Sequence, residues 1–182
     1  MGPSRHFNAS FPLGRDGFSS FGKAWLCLAL AASGCAGAPE GRADENKEVV
    51  RRFVAAVNQR DFGALDALVA PDVVRHSPST PGVSVRSLEE LKAFLRQDLA
   101  AVPDAVQEIR MILAEGDRVA VWANYSGTQD GPLGPFPATG RTVDLDFAGI
   151  LRVEDGRIVE MWVVWDNVDM LTQLGHMEPP GA

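Results

Sequence analysis

Apolar residues change their period once along this chain, near Pro103. Upstream they recur every three or four positions. Val49, Val50, Phe53, Val54 and Val57 form one stripe, with Arg51 and Arg52 on the other side, and predict a helix opening near Asp44 as its N-cap. The run RDFGALDALVAPD predicts a second, short helix opened by Asp61 and closed before Pro71. A short strand is expected over 73–76. SLEE, Ser87 to Glu90, reads as a capping box, and Leu88, Leu91, Leu95 and Leu99, with Phe94, make the apolar stripe of a third helix that stops before Pro103. Downstream the period falls to two. Alternation predicts strands over 106–114, 119–127, 142–154 and 157–167, with a Gly/Pro-rich loop from Gly127 to Arg141. Asp169 to Leu174 reads as a last helical turn closed by Gly175. Helices first and an antiparallel sheet after them define an α+β layout.

Asp155-Gly156 between two alternating runs is a strong hairpin signal. A two-residue loop there places Glu154 opposite Arg157. Carried on without a break, this register predicts Gly149 opposite Trp162, Phe147 opposite Val164 and Leu145 opposite Asp166. Trp162, Val164 and Asp166 would then share a face with Leu145, Phe147, Gly149 and Leu151, Gly149 leaving room for the indole. Met161, Val163, Trp165, Ala148 and Ile150 would form an apolar strip on the opposite face. A bulge in either strand would invert part of this map. Asp166 is thus either a solvated strand end, an N-cap for the final turn, or a carboxylate held on an apolar face.

The chain has 182 residues, 46% hydrophobic and 23% charged, which fits one globular domain with a core. A net charge of -7 argues against a general nucleic-acid binder. Arg5, Arg15 and Lys23 precede the apolar run AWLCLALAAS, which suits a signal h-region and is too short to span a bilayer. The run ends in ASGC. Small residues directly before Cys35 resemble the lipobox of bacterial lipoproteins, in which the cysteine is lipidated and becomes the new N-terminus. The expected division is residues 1–34 as a signal peptide, 35–44 as a flexible tether, 45–177 as the folded domain and 178–182 as a tail. Export and a membrane anchor through the Cys35 lipid follow, at the outer membrane in a Gram-negative host, with plain secretion as the alternative. Cys27 and Cys35 are the two cysteines, so a mature chain acylated at Cys35 keeps no thiol for catalysis or zinc.

The remaining chemistry is sparse. His6, His76 and His176 lack metal-ligand spacing, so no metal site is expected, and His176 reads as an exposed residue near the chain end. No phosphate loop, nucleophile elbow or dinucleotide fingerprint occurs in the sequence.

The segments VNQRDFGALDALVAPDVVRHSP, EGDRVAVWANYSGTQDGPLGPFPATGRTV, RVEDGRIVEMW and DNVDMLTQLG resemble the SnoaL-like polyketide cyclases, also labelled ester cyclases, over about Glu45 to Met177. The resemblance implies a nuclear transport factor 2-like cone: N-terminal helices packed on a curved antiparallel sheet around an apolar cavity. It implies ring closure by intramolecular aldol condensation without metal or cofactor, an Asp acting as general acid/base, and a homodimer. The carboxylate matching the family motif is Asp166, after Trp162. His76 matches a histidine that tends to face the cavity. Trp122, Tyr125, Phe147 and Trp162 complete the expected set around an apolar, carbonyl-containing ligand. The chain departs from the family at Gln129 and Met161, where histidines are common.

Three functions are compatible with this reading. One is a cofactor-independent cyclase or isomerase-type enzyme. The second is a non-catalytic, lipid-anchored module that captures an apolar ligand in the same cavity. The third, an epoxide hydrolase, would use an Asp-Arg-Asp arrangement, but the expected register sets Arg152 on the face opposite Asp166.

Overall fold

The computed structural model describes residues 39–178. Four helices, α1 (Pro39–Asn58), α2 (Leu65–Leu68), α3 (Leu88–Ala101) and α4 (Asn167–Gln173), accompany five strands: β1 (Val69–His76), β2 (Val106–Glu115), β3 (Arg118–Thr128), β4 (Thr142–Glu154) and β5 (Arg157–Trp165). The strands form one sheet in the order β1-β5-β4-β3-β2. β1 runs parallel to β5 and the other neighbours are antiparallel. Helices packed on this curved sheet give the α+β, nuclear transport factor 2-like fold expected from the sequence.

The helices α1 and α3 bury the stripes that their periodicity marks. Val50, Phe53, Ala56 and Val57 of α1 and Leu88, Leu91 and Leu95 of α3 join Val119, Val121, Leu151, Val153, Ile158 and Met161 of the sheet in the main core. Asn58, at the end of α1, fixes it to the sheet edge: its side chain donates to Gln107 O at 2.8 Å and accepts from Gln107 N at 2.9 Å. The Ser87 cap forms as expected, accepting from Glu90 N at 3.2 Å, while the Glu90 carboxylate reaches back to Arg86 N at 2.6 Å.

Local boundaries differ in several places: α2 covers only Leu65–Leu68, β5 ends at Trp165 ahead of the expected 167, and α4 opens at Asn167 ahead of Asp169. α1 starts at Pro39, ahead of Asp44, so the helix runs through part of the expected tether; proline suits a first turn, and Asp44 pairs with Lys47 at 2.5 Å inside the helix. β1 begins at Val69, ahead of the expected 73, with an irregularity between Val69 and Val74.

The larger correction concerns the last hairpin. Asp155 and Gly156 both adopt positive φ, 48° and 73°, as the two-residue turn requires. Glu154 pairs with Arg157 and Val153 with Ile158, but the next pair is Arg152 with Glu160. Val159 is an extra residue, a bulge. Its physical effect is to bury both Ile158 and Met161, at 0% and 3% exposure, on the concave face, which strict alternation forbids. Beyond it every side chain of β5 changes face. Gly149 lies opposite Val163, Ala148 opposite Val164 and Phe147 opposite Trp165. Met161, Val163 and Trp165 therefore point inward, and Trp162 and Val164 outward. The expected outer strip keeps Ala148 and Ile150 and loses the other three.

Candidate active site

The concave side of the sheet, α1, α3 and α4 enclose a cavity of about 140 Å³. Its wall is mostly aliphatic and aromatic: Phe53, Phe94, Leu95, Val121, Phe147, Leu151, Val163 and Trp165 among others. Leu133, from the loop between β3 and β4, and Met170 and Leu174, from α4, also line it. The loop is pressed against α3. Gly131 N donates to Ala101 O at 3.0 Å, and a Cβ on Gly131 would collide with the Ala100 carbonyl oxygen. Gln129 is fully buried beneath the same loop, donating to Pro137 O at 3.0 Å and lying 2.8 Å from His176 Nε2. His176 also packs on Phe136, with ring centroids 4.7 Å apart, so it is part-buried where an exposed residue was expected.

Gln107 adds an amide to this apolar wall, and Asp98, Tyr125 and Arg75 give it ionisable chemistry. Asp98 projects from α3, and Tyr125 from β3 donates its hydroxyl to Asp98 Oδ2 at 3.2 Å. Burial drives the Asp98 carboxyl up to about 6, against the opposing pull of the Tyr125 hydrogen bond and the Arg75 charge. The Tyr125 hydroxyl is itself held far above its usual range by burial and by Asp98, so it remains a donor. Arg75 of β1 is 8% exposed and its guanidinium lies 4.3 Å from the Phe94 ring centroid. Burial lowers its pKa, and Asp98 partly opposes this.

The residues expected at the site divide. Tyr125 and Phe147 line the cavity. His76, Trp122 and Trp162 do not; the bulge and the strand alternation set them on the convex face. There His76 stacks on Trp162, centroids 5.3 Å apart, and its Nε2 lies 2.8 Å from Glu160 Oε1. Arg152 Nε donates to the other Glu160 oxygen at 3.1 Å. Hydrogen bonding to His76 holds the Glu160 carboxyl below its usual range, with Arg152 adding to the effect. Trp122 is 47% exposed and donates from Nε1 to Asp146 at 3.1 Å.

Asp166 is exposed and caps α4, accepting from Val168 N at 2.8 Å and Asp169 N at 3.1 Å through one oxygen. It borders a shallow groove on the outside of the sheet with Trp122 and Asp146 and is absent from the cavity wall. The expectation that it faces the cavity fails because the Val159 bulge inverts the face map. Cys35 lies outside the described residues. Among the described residues no cluster of three or more His, Cys, Asp or Glu could hold a metal ion, and no helix is long and apolar enough to cross a membrane.

The sequence expectations do not include Asp98 and Arg75, although each leaves a signal in the pattern. Asp98 falls one turn after Phe94 and Leu95 and two after Leu91, so an acid interrupts the apolar stripe of α3. Arg75 alternates with Val73, the buried residue of VVRH, while His76 takes the outward position.

The family model described as SnoaL-like polyketide cyclase matches residues 47–174. Among solved structures, wild-type IdmH of Streptomyces antibioticus, a proposed polyketide cyclase, is 34% identical, with a TM-score of 0.65 over 71% of this chain and 98% of its own. AclR of Streptomyces galilaeus, a proposed hydroxylase, is 31% identical at a TM-score of 0.65, over 75% of this chain and 85% of its own. An LEH-like epoxide hydrolase of M. tuberculosis, at 24% identity and a TM-score of 0.59 over 74% and 92%, shares the fold. Comparison with curated proteins gives no match. With the family model covering most of the chain and IdmH above 30% identity over nearly its whole length, the chain belongs to the SnoaL-like polyketide cyclase family.

Proposed function

We propose that this protein is a cofactor-independent enzyme of the cyclase or isomerase type, in which Asp98 is the general acid/base. Family membership supports a cyclase- or isomerase-type enzyme acting on a small molecule. The observation that carries the finer reading is one ionisable carboxyl, raised to about 6, in an apolar cavity and held by a phenol. A base works best when its pKa lies near the operating pH. Asp98 in its ionised form takes a proton from the carbon beside a substrate carbonyl. The enolate attacks a second carbonyl of the same molecule, forming the ring C–C bond, and the resulting alkoxide takes the proton back from Asp98. The proton leaves and returns, so the step needs no electron acceptor. Tyr125 orients the carboxylate and leaves its other oxygen for the proton.

Solvent deuterium exchange at the carbon beside the carbonyl, followed by NMR over a panel of enolisable ketones and diketones, tests this before the natural substrate is identified. Asp98→Asn should slow exchange by about a hundredfold or more, and Asp166→Asn should leave it unchanged. Loss on Asp166→Asn with an unaffected Asp98→Asn would return the role to the α4 cap. Ligand retention without exchange by the wild type would overturn catalysis and favour the lipid-anchored binding module.

We also propose that the protein is exported and anchored through a lipid on Cys35, and that it pairs with a second copy through the convex face of the sheet. The register places Met111, Trp122, Ala148 and Val164 in one row and Leu113, Ala120, Ile150 and Trp162 in the next. Met111, Leu113, Trp122, Ile150 and Val164 are 45–62% exposed, a continuous apolar patch of the kind that marks an interface.

A further inference from the structure

The proton transfer assigned to Asp98 leaves one cavity charge without a task. Arg75 lies on the cavity wall, nearly all of its surface covered, with its guanidinium against Phe94 and 5.9 Å from the Trp165 ring centroid. None of the ion pairs among the described residues includes it. Among the described residues its side chain makes one hydrogen bond, from Nη1 to Thr80 Oγ1 at 3.1 Å. Nε and Nη2 remain, the edge of a guanidinium that grips two oxygens with parallel hydrogen bonds. A cation withdrawn from water with no carboxylate in contact is costly; the Asp98 charge offsets that cost only in part, and arginine does not shed its proton to escape it. Fold stability alone gives no reason to keep such a group, since apolar residues of similar size fill buried positions at least as well.

We propose that Arg75 anchors the substrate by a carboxylate, so that the cavity takes a small monocarboxylic acid with an apolar body. This rests on the reading of the cavity as the substrate site, and adds the ligand class. The carboxylate is favoured over a neutral carbonyl because it supplies both the second charge and the paired oxygens. Size follows from the volume. A cavity of about 140 Å³ is close to one that holds a single benzene ring. The apolar part is therefore a ring or a short chain in this closed arrangement, and a multi-ring body requires Leu133, Met170 and Leu174 to move aside. With the carboxylate on Arg75, the rest of the molecule extends among the apolar side chains toward Asp98.

The test is isothermal titration calorimetry of the full chain with phenylacetate and with phenylacetamide, its neutral isostere. The wild type should prefer the carboxylate by about tenfold or more, the scale of a charge-assisted pair. Arg75→Gln should abolish that preference. Arg75→Lys, which keeps the charge and loses the two-toothed edge, should retain part of it and guards against a failure of the first variant to fold. Asp98→Asn should keep or strengthen the preference, because it removes a negative charge from the same wall and leaves the anchor; loss of exchange with the preference retained or raised separates the two readings. Equal affinity of the wild type for the two probes, or binding of neither at millimolar concentration, overturns the proposal whatever the fate of Asp98.

Discussion

Replacing Asp98 by Asn should stabilise the protein, and by an amount that depends on pH. The carboxyl sits near 3.8 in an unfolded chain and at about 6 in the fold, chiefly through burial. The shift of about two units corresponds to about 3 kcal/mol. Below the lower value the group is protonated in both states and costs nothing. Between the two values the folded state holds the extra proton, so stability falls as pH rises. Above about 6 the charge is present in both states and its full burial cost is carried by the fold. The asparagine side chain has the same shape, carries no charge and still offers an oxygen to the Tyr125 hydroxyl. Urea unfolding of wild type and Asp98→Asn should therefore give similar stabilities near pH 3.5. The advantage of the variant should open across pH 4–6 and level off at about 3 kcal/mol by pH 7.5. A difference that stays constant with pH, or a variant less stable than the wild type at pH 7.5, would refute the placement of Asp98 as a desolvated carboxyl.

Three further outcomes follow. If Asp98 is the base, the rate of deuterium exchange should climb as pH rises through about 6 and flatten above it, and a rate independent of pH from 5 to 8 contradicts the assignment. Trp122→Glu, placing a charge in the centre of the convex apolar patch, should yield a monomer in sedimentation velocity, and a wild type already monomeric at micromolar concentration removes the basis for that prediction. Mass spectrometry of the protein from membranes of the native host should find an acylated Cys35 at the N-terminus, whereas an unmodified terminus at Ala36 or beyond contradicts the anchor.

Much of the fold was legible because its signals are local. The α3 cap is written in Ser87 and Glu90, the stripe of α1 in Val50, Phe53 and Val57, and the hairpin turn in Asp155-Gly156, each decided by residues a few positions apart. The candidate site was half legible. Tyr125 and Phe147 lie on strands whose alternation runs unbroken, so their inward direction follows from the pattern. The cavity's charged groups carry a weaker signal, because each lies beside more conspicuous residues. His76 adjoins Arg75, and strand alternation settles between them: whichever of the two follows Val73 by two residues goes inside.

The bulge is where local information ran out. Nothing in RIVEMWVVW says that Val159 is to be skipped, because either register offers an apolar face: Trp162 and Val164 on one side, Met161, Val163 and Trp165 on the other. The choice is made by the rest of the molecule. Ile158 and Met161 both fill the core under α1 and α3, and Glu160 is left outside to meet Arg152 and His76. A strict register keeps Ile158 in the core only by turning Met161 outward and Glu160 inward, away from both partners. An unpaired carboxylate buried in that way costs several kcal/mol, more than one interrupted ladder position. One extra residue thus moves Asp166 from the cavity to a helix cap and leaves Asp98, on a helix far away in sequence, as the cavity's carboxylate.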